Sequence, residues 1–77
     1  MTTRAKNVAE MRPGEVGTVS GFTDEVLSVK LMEMGCLPGA TVRLNFTAAF
    51  GDPICISVSG YELSLRREEA ASISIIN

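Results

Sequence analysis

The sequence predicts a mainly β fold: a small antiparallel barrel, closed or half-closed, of about five short strands, with one α-helix (about Asp24 to Met34) between the first strand and the second. Three observations lead there. The stretch from Thr23 to Leu44 reads as a helix, its stop, a tight turn and the start of a strand. Short runs of strand alternation then follow one another, separated by turn residues. Gly17 and Gly21 lie in or beside the first strand, where glycine marks a bulge, a bend or a close backbone approach.

Each element has its own local reason. Asn7 is placed to cap a short turn of helix over Val8 to Met11, after a loose tail from Met1 to Lys6. Pro13-Gly14 suits a type II turn, and Val16 to Phe22 forms the first strand. Thr23 can cap the helix, with Asp24 and Glu25 at its positive end, although Val26 stands where a capping box wants Glu or Gln. Leu27, Leu31 and Met34 give it one apolar face. Gly35 stands where a left-handed residue ends a helix, and Leu37-Pro38-Gly39 is a turn with Pro presetting φ. Val42, Leu44 and Phe46 then alternate with Arg43, Asn45 and Thr47. Gly51-Asp52-Pro53 is the next turn, leading into Ile54, Ile56 and Val58. Ser59-Gly60 is a two-residue hairpin, and Tyr61, Leu63 and Leu65 form the return strand. Arg67 to Ala71 breaks the alternation as a single helical turn, before a last strand through Ile73 and Ile75 that ends at Ile76 and Asn77. Pro13-Gly14 before Thr18-Val19 and Pro38-Gly39 before Thr41-Val42 echo one another too weakly to define a repeat.

The chain has 77 residues, so it is read as one domain, 1–77. A domain this small buries only about 60% of its unfolded surface, which leaves little room for an enclosed active site beside the core. Its composition, 45% hydrophobic and 21% charged, is that of a folded chain. The net charge of −2 provides no overall positive field for nucleic acid. With one Tyr and three Phe there is also little to stack bases on. Cys36 and Cys55 make no CxxC and no zinc pattern, and there is no His. They read as reduced cysteines serving as small apolar residues. The start has no apolar signal-peptide stretch, and nothing approaches the roughly 20 apolar residues of a membrane span. A cytoplasmic protein is the expectation, with no direct membrane insertion and any membrane role exerted through a partner.

The run LMEMGCLPGATVRL, followed by FGDPICISVSGYELSLRREEAASI, resembles the FeoA family of ferrous iron transport accessory proteins. The matching pieces are Met34-Gly35, Leu37-Pro38-Gly39, Gly51-Asp52-Pro53-Ile54, and Leu65-Arg66 with Glu68, Glu69 and Ala70. Each turn alone is commonplace; their order and spacing, from about Val8 to the C-terminus, carry the resemblance. It implies an SH3-like β-barrel that works with a membrane ferrous iron transporter bearing a cytosolic GTP-binding domain. It implies binding to the transporter's cytosolic part and modulation of transport, without carrying iron. The alternative is an SH3-like interaction or regulatory module, related to the C-terminal domain of metal-dependent repressors.

No catalytic residue, metal ligand or cofactor is expected from the residues themselves. Without His, and without a Ser or Cys beside an obvious base, nucleophilic chemistry has no starting point. Glu68 and Glu69 read as solvated charges on a polar turn beside Arg66 and Arg67, more than as an acid/base or metal pair. Met32, Met34 and Cys36 read as packing residues more than as iron ligands, since ferrous sites draw on His and carboxylates. The candidate partner-binding residues are Leu31, Met32, Arg66 and Arg67. Met32 falls about 100° from Leu31 and about 200° from Met34 around the helix, off the core face. Leu31 reads as core more than contact. Arg66 and Arg67, if the strand continues, point to opposite faces, one toward the acidic pair and one toward a partner. The remaining singled-out residues, Gly35, Pro38, Gly39, Gly51, Asp52, Pro53 and Gly60, are structural turns.

Overall fold

The computed structural model describes residues 6–76; the tail reading for Met1 to Ala5, and Asn77, lie outside them. The elements are a 3-10 turn at Val8–Glu10, β1 (Val16–Phe22), α1 (Glu25–Glu33), β2 (Thr41–Thr47), β3 (Ile54–Val58), β4 (Tyr61–Leu65), α2 (Arg67–Ala71) and β5 (Ile73–Ile76). All five strands form one antiparallel sheet in the order β4-β3-β2-β1-β5. The two ends of that order are not paired with each other, so the barrel is half-closed. The expected helix lies between the first two strands.

Curvature comes from two bulges. One lies in β1 against β5, where the register shifts between Val19 and Gly21, beside a predicted glycine bend. Gly17 supplies the close approach: a Cβ there would meet Ile75 Cδ1 at 3.1 Å. The second bulge lies in β2 against β3, between Leu44 and Phe46. It overturns one expectation. Strict alternation places Phe46 inside with Val42 and Leu44, but the extra residue at Asn45 rotates the strand, and Phe46 comes out 56% exposed.

The remaining turns follow their chemistry. Ala40 N donates to Leu37 O at 2.9 Å around Pro38-Gly39, and Gly39 takes φ +92°, the signature of a type II turn. Ser59 and Gly60 have φ +51° and +83°, a type I′ hairpin whose twist matches its strands. Asn7 caps the first turn as expected: its side chain accepts from Glu10 N at 3.2 Å, and Glu10 Oε1 accepts in return from Asn7 N at 3.2 Å. The core runs through Val8, Val19, Leu31, Val42, Ile56 and Ile73, all buried, so the 3-10 turn, the helix and the sheet share one interior.

Candidate functional site

Helix α1 is capped by Asp24, not Thr23: the Asp24 carboxylate accepts from Leu27 N at 3.0 Å. Asp24 sits one residue later and reaches the amide of the helix's third residue, and its negative charge suits the positive end of the helix dipole. The helix ends in a double closure. Cys36 N donates to Leu31 O at 2.9 Å and Gly35 N to Met32 O at 3.0 Å, with Gly35 at φ +104°. Leu31 and Cys36 are both fully buried, which adds the apolar contact that accompanies this closure. Leu27 and Met34 pack against the same core.

The opposite face of α1 carries apolar side chains. Val26 is 83% exposed, Val29 56% and Met32 36%, one every three residues, and Leu37 follows beyond the helix stop. Met32 is thus off the core face, as its helical angle indicates. Leu31, also a candidate contact, is sealed in the core and reaches no partner directly. Val26 and Val29 were not singled out by sequence reasoning. Their signal was present: a helix of this size needs one apolar stripe, and these valines fall outside it.

At Arg66 and Arg67 the structure corrects the strand reading. β4 ends at Leu65, Arg66 precedes α2, and Arg67 opens it. Arg67 turns to the β2–β3 loop, its backbone N–H donating to Asp52 Oδ1 at 3.2 Å and its Nη1 to Gly51 O at 3.5 Å. Arg66 is exposed, and its N–H donates to Glu69 Oε1 at 2.8 Å.

Glu69 is not a solvated charge. It is 5% exposed and holds two elements together, because its other oxygen, Oε2, accepts from Lys30 Nζ of α1 at 2.6 Å. The Lys30 ammonium, and after it the Arg66 N–H, hold the Glu69 carboxyl below the usual carboxylate range. The acidic pair therefore divides: Glu68 is exposed, and Glu69 ties α2 to the helix that bears Met32. The sequence does not reveal this, since the two partners are 39 residues apart.

Cys36 packs in the core, whereas Cys55 is half-buried and outside it. Both cysteines are free; Cys36 is buried, which pushes its thiol up and leaves it unreactive, and Cys55 Sγ lies 3.4 Å from Ser64 Oγ. Among the described residues no three His, Cys, Asp or Glu side chains gather as a metal site, and no helix is long and apolar enough to cross a membrane.

Known proteins share this fold. Residues 6–77 match the family model described as the FeoA domain. A curated relative, the Fe(2+) transport protein A/Fe(2+) transporter FeoB fusion protein of Porphyromonas gingivalis, is 36% identical over 50 residues, 65% of this chain. The chain spans only 6% of that relative's length. Among solved structures, the FeoA-like protein from Clostridium acetobutylicum superposes with a TM-score of 0.84 at 30% identity, covering 95% of this chain and 88% of that one. The fold is also that of Stenotrophomonas maltophilia FeoA, described as an SH3 domain protein and solved with zinc (TM-score 0.79, 21% identity, 94% and 91% covered). A manganese-dependent transcriptional repressor contains the same fold, with a TM-score of 0.86 at 20% identity over 100% of this chain and 38% of its own.

Proposed function

Because the chain belongs to the FeoA family, we propose that it is a non-catalytic accessory protein of ferrous iron transport, acting in the cytoplasm. It binds the cytosolic part of a membrane iron transporter that carries a GTP-binding domain, and modulates it. The observation that carries this reading is the fusion relative, in which the two components are one polypeptide. Fusion holds two modules at high effective concentration, an arrangement that serves modules which act together. The exposed row Val26, Val29 and Met32 supports α1 as the docking element. Apolar side chains on a rigid helix gain by burial and lose little entropy, and Met adapts its shape to a partner. Arg66, exposed just before α2, supplies a cation for an acidic partner surface.

The test is co-purification from cells carrying the transporter, with and without its soluble domain, alongside ferrous iron uptake after deletion of the gene. Retention that depends on the soluble domain, with reduced uptake in the deletion strain, is the expected result. Unchanged uptake sinks the reading. A second reading, a regulatory module, draws on the likeness to the manganese-dependent repressor, which at that identity concerns the fold alone. Retention of a metal-responsive regulator in place of the transporter would favour it.

A further inference from the structure

We propose that the open edge of β4 pairs with β4 of a second copy of this chain, antiparallel about a two-fold axis at Leu63, so that Glu62 of each copy lies opposite Ser64 of the other. β4 is the terminal strand of the sheet. Its two-residue turn makes Val58 and Tyr61 a hydrogen-bonded pair, so Tyr61, Leu63 and Leu65 direct their backbone groups toward β3. Glu62 and Ser64 direct theirs away from the sheet. Both residues are exposed, and among the described residues no backbone group meets theirs.

The opposite edge is covered. Asn7 bridges to Ser74, and Ile75 N donates to Lys6 O at 3.0 Å, so the N-terminal segment lies along β5. A sheet with one open edge closes on itself as a pair, whereas two open edges would propagate a fibre.

Side-chain chemistry selects the register. With Glu62 opposite Ser64, two hydrogen-bonded pairs form, and each carboxylate faces a hydroxyl that can donate to it. The same register sets Leu63 against Leu63 of the second copy and draws Tyr61, 67% exposed in one copy, into the seam. An axis at Glu62 would place two carboxylates face to face. An axis at Ser64 would need the Arg66 N–H, which Glu69 already holds.

Sedimentation from micromolar to millimolar concentration tests this. A reversible dimer is expected. Ser64→Pro, tolerated on an edge strand, removes an outward-facing N–H together with the Ser64 hydroxyl and should abolish the dimer. Ser64→Glu should raise the dissociation constant about tenfold, and Ser64→Lys, placed against Glu62 of the second copy, should lower it. Should Ser64→Pro fail to fold, the two charge variants decide alone. A chain that stays monomeric throughout, a dimer indifferent to residue 64, or a dimer weakened equally by Lys and Glu would overturn the proposal.

Discussion

Val19 and Leu44 hold equivalent places at opposite ends of the β1–β2 ladder. The Val19 carbonyl accepts from Gly39 N at 2.7 Å and its N–H donates to Ala40 O at 2.9 Å; the Leu44 carbonyl accepts from Gly14 N at 2.7 Å and its N–H donates to Glu15 O at 3.0 Å. Each Pro-Gly turn that starts one strand is therefore clamped to the middle of the other. Both residues are 1% exposed, so the clamps close over the core. The faint echo between PGEVGTV and PGATVRL has a structural meaning: two similar entries to one ladder, related by its local two-fold.

The clamp at Val19 depends on backbone geometry at Gly39, and the helix stop depends likewise on Gly35. No atom lies within 4 Å of a Cβ built at either position, so the cost of a side chain there is in the backbone alone. Gly35→Val and Gly39→Val should each destabilise by more than about 1 kcal/mol, since a β-branched residue is poor at positive φ. For a domain of this size that lowers the melting temperature by about 4–8 °C per kcal/mol. Gly35→Asn should cost less than Gly35→Val. Thermal unfolding followed by circular dichroism checks both, and equal losses for Asn and Val would contradict the backbone origin.

The Lys30–Glu69 contact should make stability depend on acidity. Because the folded-state Glu69 carboxyl sits below its ordinary value, its contribution is fully present above the unfolded carboxylate range and is lost as pH falls through the folded value. Urea midpoints measured from neutral pH downward should therefore fall in acid. Glu69→Gln should flatten part of that slope. Lys30→Met, which leaves Glu69 buried without its cation, should destabilise at neutral pH by about 1 kcal/mol or more. Lys30 is itself 59% exposed, which keeps this below the cost of breaking a fully buried pair.

Adjacent positions on α1 should separate binding from folding. Leu31→Ala should cost about 2–5 kcal/mol of stability, because the side chain is fully buried. Val29→Asp and Met32→Asp should leave the unfolding midpoint nearly unchanged and abolish co-purification with the transporter's soluble domain. Retained binding in both Asp variants would move the docking surface away from the helix.

The β2 bulge predicts an inversion of the usual cost of losing an aromatic residue. Phe46→Thr should change stability by less than about 0.5 kcal/mol, whereas Leu44→Ala, two residues earlier, should cost about 2–5 kcal/mol. Chemical denaturation of the two variants reads this directly. A large loss at Phe46 would mean that the strand keeps strict alternation.

Local chemistry was enough to place the five strands, α1, the helical turn at Arg67–Ala71 and nearly every reversal, because propensity, capping and positive-φ glycines act over a few residues. The same local rules put the boundary of β1 at Val16 and Phe22 and the stops at Gly35, Gly39 and Gly60. Three features needed the folded chain. Phe46 faces outward because a bulge is a property of two strands in register, which alternation along one strand cannot encode. Glu69 is buried and paired because α2 comes to rest beside Lys30. Arg67 serves the Gly51–Asp52 loop for the same reason, a neighbour distant in sequence. A single chain reading records what each residue prefers within its own turn or strand, and only packing decides which remote group meets it.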